Sequence, residues 1–175
     1  MPAEEEVCRY QVKGWDERLA ELLAEHVGPA VEATLKDLIV VEVVHGSGSE
    51  LLLVPRWAVP ILRENCAFVY TAGLHAASIR RGRLYPTLSL GTLIEHAIVR
   101  CYVVLPEGLV AKLTYGKSIV VDAAGLEAAL GECRRVAVLA ADSRRFVAWA
   151  RVEEKGDKLL IKPVVDVGWY LRSGV

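Results

Sequence analysis

Apolar positions along this chain change period several times, and each change marks an element. In WDERLAELLAEHVGPA, Leu19, Leu22, Leu23, His26 and Val27 recur at helical spacing, while Glu21 and Glu25 fall on the other side. Asp16 stands at the N-cap position and Gly28-Pro29 stops the helix. Two strand-length runs follow, DLIVVEVV and ELLLVP, joined by His45-Gly46-Ser47-Gly48-Ser49, which reads as a hairpin loop. RWAVPILREN predicts a second helix, with Pro60 near its first turn or at a kink. CAFVYTAG reads as a strand, AASIRRGRLYPTLS as two short strands around Arg80-Arg81-Gly82-Arg83, and LGTLIEHA as a short closing helix.

From residue 99 the texture becomes mostly β. VRCYVVLP and KSIVV read as strands around a short amphipathic helix, EGLVAKLTYG. DAAGLEAALGEC reads as a loop with one helical turn, followed by the strands RRVAVLAA, RRFVAWARVEE and DKLLIKPVV and a helical turn in DVGWYLR. These patterns predict an α+β protein of two domains. Residues 1–98 form an α/β domain with a mostly antiparallel sheet and flanking helices, and residues 99–175 form a small barrel-like β domain.

Composition is that of a folded protein, with 53% hydrophobic and 25% charged residues. The apolar runs are too short to span a membrane, and the acidic MPAEEEVCRY lacks the apolar core of a secretion signal. A cytoplasmic protein is the expectation. The first 99 residues carry 9 Lys/Arg against 13 Asp/Glu, a balance of −4, and the remainder 12 against 9, a balance of +3. That asymmetry fits two domains with different partners. Cys8, Cys66, Cys101 and Cys133 are widely spaced with no C-x-x-C pair, so buried free thiols are expected and neither a zinc site nor a disulfide framework is; a hyperthermophilic source would leave an internal disulfide open.

The tripeptide Gly116-Lys117-Ser118 ends like a phosphate-binding P-loop, yet the first glycine of that pattern is Ala111. The order of elements is also reversed: a helix precedes the glycine and a β-branched strand follows it. His26, His45, His75 and His96 show no metal-ligand spacing, and no serine sits in a nucleophile elbow. No catalytic residue, metal or cofactor is therefore assigned.

The basic residues carry more. Strict alternation in RRFVAWARVEE puts Arg145, Val147, Trp149 and Arg151 on one face and Phe146, Ala148 and Ala150 on the other. In DKLLIKPVV, Lys158, Leu160 and Lys162 share a face. If these strands pair across Lys155-Gly156, then Arg151, Lys155, Lys158 and Lys162 form one cluster suited to a phosphate backbone, with Glu153, Glu154 and Asp157 near enough to neutralise it. Arg80, Arg81 and Arg83 make a second cationic point, either a solvated loop or a phosphate contact.

YVVLPEGLVAKLTYGKSIVV, RRVAVLAADSRRFVAWARV and the closing VVDVGWYLRSG resemble, in order, the elements of a PUA domain, a small pseudo-β-barrel of RNA-modifying enzymes and ribosome-assembly factors. The Tyr-Gly turn with Asp-x-Gly-x-Tyr-Leu-Arg is similar to the Nip-seven family of large-subunit ribosome biogenesis factors, which pair an N-terminal α/β domain with a C-terminal PUA domain. Departures are Lys117-Ser118 where that family has Asn-His, and YTAGLHA where it favours Ser-Leu-Gly-Thr.

The resemblance implies a non-enzymatic RNA-binding factor acting on pre-rRNA or U-rich single strands. Ribosome-assembly proteins would dock on its first domain. By the same resemblance Lys158 and Lys162 match the family's RNA-contacting positions best, whereas Arg151 and Lys155 follow from strand geometry. Two alternatives remain at this level: an RNA-modifying enzyme that uses the PUA domain for delivery, and a protein-binding scaffold without RNA contact.

Overall fold

A computed structural model describes residues 10–168 except 29–30, 47, 66–68 and 70. The chain packs as two compact units. One comprises the described residues up to Glu21 with Glu32–Thr87, and the other Leu22–Val31 with the described residues from Leu88 onward.

The first unit holds a five-stranded antiparallel meander in the order β1-β2-β3-β4-β5. Its strands are Tyr10–Gly14, Leu38–His45, Gly48–Pro55, Leu74–Arg80 and Arg83–Pro86. The apolar runs of β2 and β3 bury Ile39, Val41, Val43, Leu52 and Val54, and these pack with Val59 and Leu62 of helix α3 (Val59–Asn65). Pro60 occupies the first turn of α3, where its missing N–H costs no helical hydrogen bond. Buried Glu42 of β2 is satisfied by the Ser49 hydroxyl and by Lys13 Nζ at 2.9 Å. Helix α1 (Glu17–His26) starts where the sequence places it: Asp16 Oδ1 accepts the backbone N–H groups of Arg18 (3.0 Å) and Leu19 (3.3 Å). A short helix α2 spans Val31–Leu35.

From Leu88 onward the second unit comprises α4 (Leu88–Ile94) and a six-stranded sheet in the order β7-β11-β10-β9-β6-β8. The strands are β6 (Tyr102–Leu105), β7 (Ile119–Asp122), β8 (Ala128–Ala129), β9 (Val136–Ala140), β10 (Phe146–Lys155) and β11 (Lys158–Asp166). All pairings are antiparallel except β6 with β9. Val103, Leu105, Leu113, Val136, Val138, Ala148 and Ile161 fill the interior of the curled sheet, with helix α5 (Glu107–Thr114) contributing Leu113. The α+β reading with a pseudo-barrel second half is the observed fold.

Four expectations change. Among the described residues, 69 and 71–73 carry no strand, and the rest of CAFVYTAG lies outside them. DAAGLEAALGEC contains no helical turn; Ala128–Ala129 instead add a short strand to β6, using backbone groups that a helix would have kept to itself. Cys101 and Cys133 form a disulfide rather than two free thiols. They stand 32 residues apart in sequence, and the pairing of Tyr102 with Ala129 folds the intervening chain back on itself. Cys8 and Cys66 lie outside the described residues, as does the helical turn expected beyond Gly168.

The fourth change concerns β10, whose strict alternation is broken by ladder shifts between Phe146 and Ala148 and between Trp149 and Ala150. Val147, Ala148 and Ala150 consequently join the same interior cluster, while the rings of Phe146 and Trp149 meet at 5.0 Å.

Candidate nucleic-acid interface

Beyond its bulges β10 returns to regular alternation, and this half of the strand builds the candidate site. Gly156 turns the chain with φ 65°, ahead of Asp157, so that β11 runs straight back along β10. The register is then explicit: Arg151 stands opposite Lys162, Glu153 opposite Leu160, and Lys155 opposite Lys158. Directly paired residues share a face, so all four expected cations lie on one side of the hairpin. The intervening Val152 and Ile161 pack on the barrel side.

Strand β7 extends this outer face. Its Asp122 is opposite Lys158 and its Val120 opposite Leu160. Val120 is 58% exposed, so an apolar strip of Val120 and Leu160 runs between the basic ends. Glu154 pairs with Leu159 and therefore stands on the face away from the cations. Local neutralisation falls to Glu153 and Asp122, the latter supplied by a strand that the spacing within the hairpin could not reveal.

Lys162 Nζ donates to Glu153 Oε1 at 2.6 Å. That hydrogen bond, reinforced by the charges of Lys162, Lys155 and Arg151, holds the Glu153 carboxyl below the usual carboxylate value. The carboxylate is thus seated among three of the four cations. Four positive side chains against Glu153, Asp122 and, in the adjoining turn, Asp157 still leave a net positive charge, as a polyanion requires.

The Gly-Lys-Ser tripeptide has a structural role. Gly116, with φ 74°, ends α5, its N–H donating to Leu113 O at 2.8 Å, and the chain turns directly into β7. The carboxylate of the Asp-x-Gly element has one as well: buried Asp166 Oδ1 accepts the Gly168 N–H at 2.8 Å and holds the turn after β11. Residues 169–172, the Trp-Tyr-Leu-Arg part of the closing motif, lie outside the described residues.

Among the described residues, Glu25, Cys101 and Cys133 are grouped closely enough to hold a metal ion. In this structure the two sulfurs are bonded to each other, which leaves no thiolate to donate.

Comparison with known proteins agrees with this architecture. Residues 101–175 match the family described as "UPF0113 PUA domain". Over nearly its whole length the chain is similar to a "UPF0113 protein" from Aeropyrum pernix: 25% identity over 181 residues, covering 98% of this chain and 97% of that protein. A solved structure, "Structure of a Conserved PUA Domain Protein from Thermoplasma acidophilum", superposes with a TM-score of 0.50 at 13% identity. It covers 94% of this chain and 98% of its own, a likeness of fold. The second unit therefore carries a PUA domain, a type that generally binds RNA. Among the described residues no helix is long and apolar enough to cross a membrane.

Proposed function

We propose that this protein is a non-enzymatic RNA-binding factor that holds single-stranded, U-rich segments of pre-rRNA on the outer face of β7, β10 and β11. On this reading it serves large-subunit ribosome assembly or rRNA processing in the manner of Nip-seven-type factors, and its first unit docks assembly proteins. The observation that carries the reading is the register of the hairpin. Arg151 faces Lys162 and Lys155 faces Lys158, so two like-charged pairs stand directly opposed on an exposed surface. Such pairs weaken a sheet, and a polyanion laid across them turns the repulsion into attraction. Exposed Val120, with half-buried Leu160 opposite it, offers an apolar surface for base faces between the phosphate contacts.

The test is binding of oligouridine to the wild type and to Lys158→Ala/Lys162→Ala at two salt concentrations. Each lost phosphate contact lowers the salt slope by about 0.7, so the double variant should bind more weakly with a slope shallower by about 1.4. An unchanged affinity and slope would remove this face from the RNA site. Absence of wild-type binding would leave a protein scaffold as the better description.

A further inference from the structure

The turn between β4 and β5 places three arginines at one end of the first unit's sheet. Arg80 and Arg83 are directly opposite each other, and Arg81 and Gly82 form the two-residue turn between them. Both turn residues have positive φ, 50° at Arg81 and 73° at Gly82. A turn of that kind favours Asn or Gly at its first central position, because a Cβ there crowds the backbone. Arginine at this position is locally unfavourable, and the like-charged Arg80–Arg83 pair across the ladder adds to the cost. Among the described residues no carboxylate lies within ion-pair distance of any of the three.

The neighbouring strands shape the surface beside them. Gly48 of β3 is opposite Arg80 on one side and His45 of β2 on the other. A Cβ on Gly48 would lie 2.2 Å from the Ile79 carbonyl oxygen, so the position must remain without a side chain. The row His45-Gly48-Arg80-Arg83 therefore has an obligatory gap bordered by His45 and Arg80. One row further along the same face, Tyr85 is opposite Ser78 and 38% exposed, and Glu50 is the carboxylate of that row, 3.8 Å from His45.

We propose that this end of the sheet is a second RNA site, in which Arg80, Arg81 and Arg83 hold backbone phosphates of a single strand. The proposal rests on the reading of the chain as an RNA-binding protein and adds a contact surface on its other unit. Guanidinium forks suit phosphate oxygens better than ammonium groups do, and every cation in this cluster of three is an arginine. Two separate surfaces on one chain would also raise the affinity for a strand long enough to reach both.

Arg81→Gly provides the sharpest test, since it removes charge while relieving the backbone. The probe is a single-stranded oligouridine about 20 nucleotides long, titrated at about 0.1 and 0.3 M salt. One phosphate contact is worth about fivefold at 0.1 M salt relative to 1 M. Arg81→Gly is therefore expected to bind about fivefold more weakly, with a slope reduced by about 0.7 and a melting temperature unchanged or raised. Arg80→Ala/Arg83→Ala should lose about 25-fold.

If both arginine variants keep wild-type affinity and slope while Lys158→Ala/Lys162→Ala weakens, the second site is wrong and the β10–β11 site stands. That outcome would also turn the arginines toward an acidic protein surface. If Arg81→Gly loses stability along with binding, its role is structural and the proposal falls. If the wild type binds no oligouridine, the broader RNA reading falls with it.

Discussion

His26 stands edge-on to Trp149 in the second unit, with ring centroids 4.9 Å apart, planes at 85° and both residues fully buried. The imidazole lies between two carbonyl oxygens, Leu22 O at 2.9 Å from Nδ1 and Arg135 O at 3.2 Å from Nε2. A neutral ring has one N–H and so donates to only one of them. Burial pushes the His26 pKa down; the two carbonyls and the Glu25 carboxylate pull it up, the Arg135 charge pushes it down again, and the net shift is downward. The unfolded chain therefore binds a proton at a pH where the folded one does not. Stability from this residue is complete above the ordinary value of 6.5 and is lost as the pH falls below it. The melting temperature should drop from pH 7.5 to pH 5.5, and His26→Gln should flatten the part of that drop just below pH 6.5, as followed by circular dichroism.

Gly91 of α4 packs directly against β10. A Cβ at that position would lie 2.3 Å from two ring atoms of Phe146, whose ring is itself held against Trp149. Alanine improves helix propensity by about 0.8–1 kcal/mol, but overpacking costs about 1–3 kcal/mol, so the clash should dominate. Gly91→Ala is expected to lower the midpoint of urea unfolding. Combining it with Phe146→Leu, which frees the space, should give a smaller loss than the two single changes added together.

Glu153 restrains the basic face. Its carboxylate accepts from Lys162 and is surrounded by Arg151 and Lys155. Glu153→Gln should tighten binding of oligouridine by roughly two- to fivefold and steepen the salt dependence, because one more cation becomes available to phosphate. Weaker binding would mean that Glu153 positions Lys162 rather than competing for it.

The Cys101–Cys133 bond closes a loop that contains β6, α5, β7 and β8. Cys101→Ser/Cys133→Ser should destabilise the protein by roughly 2–4 kcal/mol. Thermal unfolding of wild type with and without a thiol reductant checks this independently: the reductant should lower the wild-type midpoint and leave that of the double variant in place.

Glu95 joins two neighbouring segments by hydrogen bonding. Nearly buried, it accepts the Phe146 N–H at 2.9 Å and pairs with Arg145 Nε at 2.9 Å. Glu95→Ala leaves that backbone donor without its partner and should cost about 1–3 kcal/mol, measured by chemical denaturation.

Much of the fold was legible in local pattern. Helix α1 with its Asp16 cap, the hairpins around Gly46 and Gly82, and the arrest of α5 at Gly116 all follow from spacing and turn chemistry within a few residues. The same holds for the hairpin at Gly156, and with it for the shared face of Arg151, Lys155, Lys158 and Lys162, since a two-residue turn sets the register of both strands. Alternation failed at Val147, where a bulge that suits the packing of Phe146 against Trp149 shifts the phase of the strand.

The sequence by itself determined most of the succession of elements, though not β1, α2 or β8, and which residues face each other across the short hairpin turns, because those are local properties of the chain. Only the tertiary structure decided that β7 lies beside β11 and brings Asp122 and Val120 to the basic face. It alone decided that Cys101 meets Cys133 and that His26 is sealed against Trp149. Those relationships join residues far apart in sequence. They are set by burying the apolar sides of several elements at once, a collective requirement that no single stretch of chain records.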